Sequence, residues 1–106
     1  MEQPAKAFLK RCAKNRQIPN YAELGEFIGL NVNLSRDRRI LGEILAKVSE
    51  KTMVEEGVML SAIVVGKNNG LPSDGFFDLA KHMKRRVRNK ANFWIYEYNR
   101  VFKAYE

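Results

Sequence analysis

A chain of 106 residues, 45% of them hydrophobic, can bury one ordinary core but leaves little room for a second domain, so residues 1–106 read as a single unit. One cysteine and one histidine exclude an internal disulfide and a structural zinc site, and no apolar run approaches the roughly 20 residues of a membrane span. Nineteen Lys and Arg against twelve Asp and Glu give a net charge of +7, which favours anionic partners over anionic substrates that need chemistry done to them.

In chain order, Ala5, Phe8, Leu9, Cys12 and Ala13 recur at helical spacing with basic residues opposite, so residues 4–15 read as an amphipathic helix with Pro4 in its first turn. Pro19 breaks the chain. Asn20 with Glu23 three places later is a capping-box pattern, which starts a second helix at Tyr21, and Gly29 stops it after Ile28. LNVNLS is a polar loop. Ser35 caps a third helix that carries Ile40, Leu41, Ile44, Leu45 and Val48 on one side and continues, frayed or kinked, toward Glu56 and Gly57. VMLSAIVV (58–65), short, apolar and β-branched, predicts a buried strand, and GKNNG after it predicts a tight turn. Ser73 or Asp74 caps a fourth helix holding Phe76, Phe77, Leu79, Ala80, Met83 and Val87. A fifth, from Asn92 to Tyr105, places Trp94, Tyr98, Val101 and Tyr105 on one stripe, read as core rather than as a stacking platform.

Helix, helix, loop, helix, strand, turn, helix, helix predicts a mainly α (small α+β) fold. It is the order of a winged helix-turn-helix core with two C-terminal helices added, a fold that puts its third helix into a DNA groove. Within it, YAELGEFIG (Tyr21 to Gly29) resembles the Y-x-x-L-[AG]-x-x-x-G helix of the DNA-binding domain of O6-alkylguanine-DNA alkyltransferases and their alkyltransferase-like relatives. Arg39-Ile40-Leu41-Gly42 resembles the R-x-V-G that heads that family's recognition helix, although the gap from Gly29 to Arg39 is longer here. The resemblance covers residues 18–70 and implies a phosphate contact for Tyr21 and insertion at a flipped base for Arg39. The chain departs from the family where chemistry is done. Ser61, Ala62 and Ile63 stand in place of the nucleophilic cysteine, the histidine and the arginine. A hydroxyl with no neighbouring base cannot replace an activated thiolate, so the resemblance implies a DNA-binding scaffold without alkyl transfer. The C-terminal half, with LS-x-x-VV-x-K-x-x-G-x-P-x-x-GF, is also similar to small uncharacterised bacterial and phage proteins, which carry over no activity.

The candidate site residues are those that can meet phosphates or base edges. Ser35, Arg36, Arg38 and Arg39 open the third helix, where clustered arginines oppose the helix dipole and need a compensating reason. Lys67 and Asn68 form the tip of the turn, and Lys84, Arg85, Arg86 and Arg88 belong to the acid-free run KHMKRRVRNK. Each set also has a plain reading, as a solvated turn or a helix end. No nucleophile-base pair, convergent carboxylate pair, metal set or phosphate loop is visible, so no enzyme, metal or cofactor is expected. The expected partner is nucleic acid, with duplex DNA favoured. The alternative is an acidic partner protein, as for a phage- or mobile-element-type modulator. No membrane partner is expected, the expected location is the cytoplasm, and the strand at 58–65 offers a route to a homodimer.

Overall fold

Five α-helices and one 3-10 turn make up the ordered backbone of the computed structural model, which describes residues 1–106. They are α1 (Glu2–Lys14), α2 (Tyr21–Ile28), α3 (Ser35–Glu56), the 3-10 turn (Leu60–Ile63), α4 (Asp74–His82) and α5 (Lys90–Ala104). The mainly α class expected from the sequence is the one observed. One continuous apolar cluster draws on every helix, from Ala5 and Leu9 of α1 to Val101 and Phe102 of α5. No helix is long and apolar enough to cross a membrane.

Helix ends follow the backbone's demand for partners. Asn20 and Glu23 close the expected capping box on α2: the Glu23 N–H donates to Asn20 Oδ1 at 2.9 Å, and the Asn20 N–H donates to Glu23 Oε1 at 3.0 Å. Three helices finish with the same paired bonds, in which the residue beyond the cap is left-handed and the next N–H reaches back five residues. At α2 this left-handed residue is Gly29 (φ 85°), with Leu30 N–H on the Gly25 carbonyl at 2.7 Å. At α1 it is Arg16 (φ 54°), and at α4 it is Lys84 (φ 67°), with Arg85 N–H on the Ala80 carbonyl at 2.9 Å. The fourth helix therefore stops at His82 rather than running to Val87, and residues 83–89 form an irregular connection. Ser35 is likewise not a cap. Leu34 holds that position without a side-chain bond, and α3 runs on unbroken for 22 residues to Gly57 (φ 74°).

The expected strand at 58–65 is replaced by the 3-10 turn, in which every residue from Val58 to Val65 is buried. The reason lies in where its N–H groups go. Thr52 and Ser49, on the inner face of α3, accept from the N–H groups of Leu60 (3.2 Å) and Ser61 (3.0 Å). Glu97 of α5 accepts from Met59 N–H at 2.8 Å, and Trp94 Nε1 donates to the Ala62 carbonyl at 2.8 Å. Side chains from two helices thus do the work of a neighbouring strand, and one isolated bridge, Asn20 to Val65, remains of any ladder. The same burial closes the route expected for a homodimer, pairing of 58–65 across a two-fold axis, because the segment has no free edge.

Glu97 is the polar centre of this arrangement. It is completely buried, receives both guanidinium nitrogens of Arg85 (2.6 and 3.1 Å), and receives Arg100 Nη1 at 2.7 Å. Arg100 also donates to the Gly57 carbonyl at 2.6 Å, which ties the end of α3 to α5. Burial pushes the carboxyl pKa up, but the Arg85 and Met59 hydrogen bonds and the two arginine charges more than offset it, so the pKa lies below the ordinary carboxylate value.

Two stability experiments follow from these contacts. A pKa depressed by folding gives stability that is complete above the unfolded carboxylate value of about 4.3 and is lost as pH falls through the folded value. Glu97→Gln should therefore lower stability at pH 7 by about 3–5 kcal/mol and flatten the acid limb of the melting curve against pH. A wild-type-like acid limb in the variant would refute this role. Two glycines should respond oppositely to alanine. A Cβ on Gly25 would sit 2.9 Å from Val32 Cγ1 and 3.2 Å from the Leu30 carbonyl oxygen, so Gly25→Ala should cost about 1–3 kcal/mol. A Cβ on Gly42, inside α3, meets nothing within 4 Å, and Gly42→Ala should raise stability by about 0.5–1 kcal/mol in the same thermal melts.

Candidate functional site

A concavity of about 1190 Å³ lies where α2, the 30–33 loop, the first half of α3, the turn after Val65 and the start of α4 converge. Its inner surface is apolar, with Leu30, Val32, Leu41, Leu45, Phe76 and Leu79. Its polar lining brings together Tyr21, Arg38, Arg39, Lys67 and Asn68, five of the residues that sequence reasoning singled out, from three separate stretches of chain. The lining is not uniformly basic, because Glu26 and Glu43 belong to it too.

Each of these side chains is placed by a local cause. The capping box starts α2 at Tyr21, whose hydroxyl accepts the N–H of Ser73 at 2.7 Å and so pins the start of α4 across the groove. Burial pushes the Tyr21 pKa up, although the bond from Ser73 opposes this, so the phenol stays neutral. Asp37, buried in the first turn of α3, accepts from Asn31 N–H at 2.8 Å and folds the 30–33 loop against that helix end. An acid at this position also offsets the crowding of arginines near the positive end of the dipole. Arg38 Nη1 donates to the Val32 carbonyl at 2.9 Å, whereas Arg39 and Lys67 have no hydrogen bond or acidic partner within the chain. The turn itself closes through Gly66 N–H on the Leu71 carbonyl at 2.8 Å and the Leu71 N–H on Asn69 Oδ1 at 3.1 Å.

The remaining candidates lie elsewhere. Ser35 and Arg36 are exposed at the head of α3 outside the groove lining, and Arg36 Nε lies 3.4 Å from Asp37. Lys84, Arg86 and Arg88 are exposed on the 83–89 connection, without acidic partners. Arg85 must be withdrawn from the set of phosphate contacts. Its guanidinium is committed to Glu97 and lies 5.1 Å from the Phe93 ring centroid, which leaves little of it for an external ligand. Ser61, which the resemblance sets in place of a nucleophilic cysteine, belongs to the groove lining but is buried, with its hydroxyl 2.6 Å from that of Ser49.

Sequence reasoning missed the amides Asn31 and Asn33 in the groove lining, and took Gly42 only as part of a motif resemblance. A glycine inside a helix costs stability, and nothing within the chain needs the space at Gly42, so its position beside Arg38 and Arg39 was a readable signal. Glu97 was readable too: it sits midway in the i, i+4 row Phe93, Glu97, Val101, where a carboxylate must find partners. No family model, curated protein or solved structure matches this chain.

The division between free and committed arginines can be measured. Arg39→Ala should leave the melting temperature nearly unchanged, within about 0.5 kcal/mol, as for a surface position without partners. Arg85→Ala leaves the buried Glu97 carboxylate with Arg100 and the Met59 N–H alone and should cost about 3–5 kcal/mol. Equal effects of the two substitutions in denaturant titrations would contradict this division.

Proposed function

We propose that the chain is a non-catalytic nucleic-acid-binding module that holds duplex DNA against the face formed by α2, the head of α3 and the 66–71 turn. The observation that carries this reading is the convergence of Tyr21, Arg38, Arg39, Lys67 and Asn68 on one groove, with Arg39 and Lys67 left unpaired. Free guanidinium and ammonium groups beside amides supply what phosphate oxygens and base edges accept. In a winged-helix-like reading, α2 and α3 are the helix pair and the 66–71 turn is a wing without its strand. The resemblance to the alkyltransferase scaffold would give Tyr21 a phosphate and Arg39 a base, and the reading is supported by both residues lining the groove. Alkyl transfer is not part of the proposal, because the Ser61 hydroxyl is turned to Ser49 rather than to a base. The proposed location is the cytoplasm, in keeping with a single unpaired cysteine, and the phosphate-tracking role extends to Ser35 and Arg36 beside the groove and to Lys84, Arg86 and Arg88 on the 83–89 connection.

The apolar part of the groove supports one rival, an acidic segment of a partner protein laid along the half-buried Leu30, Val32 and Leu79. Salt titration separates the two. Wild-type protein should bind random duplex at about 50 mM salt, with affinity falling log-linearly as salt rises. Neutralising Lys84, Arg86 and Arg88 should weaken all duplexes alike and flatten that slope by about 0.9 per lost contact. Arg39→Ala should cost about 1–3 kcal/mol on a preferred site and much less on random sequence. Gly42→Phe, which fills open groove space, should abolish binding while the fold persists. Absence of duplex binding at low salt would overturn the DNA reading in favour of the acidic protein.

A further inference from the structure

A second, shallower depression of about 530 Å³ lies at the start of α5, lined by Arg86, Arg88, Asn89, Asn92 and Tyr96 and backed by Arg85 and Phe93. Unlike the groove, its lining holds no acid. Arg86 and Arg88 have no acidic partner in the chain, and Asn89 uses its Oδ1 to cap α5 through Asn92 N–H at 2.9 Å, so its amide NH₂ remains available. Tyr96 is 59% exposed, the most exposed aromatic residue, and its hydroxyl makes no hydrogen bond within the fold. It points away from the row Trp94, Tyr98 and Phe102, whose rings pack on one another with centroids 4.8 and 5.6 Å apart. Arg100 lies 5.4 Å from the Tyr96 centroid and steadies the ring without burying it.

A flat π surface beside two free guanidinium groups and two amides matches the parts of one nucleotide: base face, flanking phosphates and base edge. Bases inside a duplex already stack on their neighbours, so only an unpaired base can present its face to Tyr96. We propose that this depression binds an unpaired nucleotide of a single strand by stacking it on Tyr96 while Arg86 and Arg88 hold the adjoining phosphates. The inference rests on nucleic acid being the ligand and is independent of how the groove is used. It also gives Arg86 and Arg88 a strand to hold rather than a duplex face alone.

The test uses the full chain, a labelled oligothymidylate of about eight nucleotides, an abasic oligomer of equal length, and a duplex, at about 50 mM salt. Wild-type protein should bind oligothymidylate about tenfold or more tighter than the abasic strand. Tyr96→Ala should erase that preference and leave abasic and duplex binding unchanged. Tyr96→Phe should retain it. The exposure of Tyr96 keeps the variants folded, which their melting temperatures verify. Arg86→Gln with Arg88→Gln should weaken both single strands. Equal wild-type affinity for thymidylate and abasic strands, or an unaltered Tyr96→Ala, overturns the stacking site. Stacking on Tyr96 without any duplex affinity overturns the groove reading and leaves this one standing. Binding to none of the three ligands overturns both.

Discussion

A carboxylate removed from water must be met on every side, and Glu97 is met by parts of the chain that have no other reason to be adjacent. Arg85 comes from the connection after α4, Arg100 from its own helix, and the Met59 N–H from the segment after α3. Through Arg100 the knot also reaches the Gly57 carbonyl, so the end of α3 is fixed by the same charge. Buried ion pairs often add little net stability compared with apolar packing, but they discriminate strongly against arrangements that leave a charge unpaired. In this chain the discrimination fixes a path. Residues 58–65 must pass between α3 and α5, and α4 must end early enough for Arg85 to turn inward.

That path explains which parts of the fold could be read from sequence. Signals that act within a few residues were legible: the Asn20–Glu23 box, the stops at Gly29 and Gly57, and the turn built on Gly66 to Gly70 all form where their local chemistry asks for them. VMLSAIVV was misread because its composition reports burial and not the identity of its hydrogen-bond partners. Thr52 and Ser49 look like polar interruptions on α3, and only tertiary placement turns their hydroxyls toward Leu60 and Ser61. The end of α4 was misjudged for a related reason. Lys84 takes a left-handed conformation that composition alone would assign to glycine, and the strain is carried because Arg85 must reach Glu97.

The candidate site divides along the same line. Arg38, Arg39, Lys67 and Tyr21 could be named from sequence, but their meeting around one groove could not, since it depends on Asp37 drawing in the 30–33 loop and on the Tyr21 hydroxyl holding Ser73. Arg85 shows the opposite failure. In an acid-free run it looks the same as Arg86 and Arg88, and its only acidic partner is 12 residues away in sequence. A count of basic residues therefore overstates the charge available to a ligand.

Once Arg85 is assigned to the interior, the basic run no longer acts as one phosphate-tracking stripe. Its two neighbours are held beside α5 because the residue before them is anchored, so the Glu97 knot that orders the core also presents Arg86 and Arg88 next to Tyr96. The groove has the same dependence on the interior, since its inner surface is continuous with the core through Leu41, Leu45 and Phe76. Buried contacts thus set the backbone and the apolar floor of both faces, while Arg39, Lys67, Arg86 and Arg88 stand exposed on them without partners in the chain.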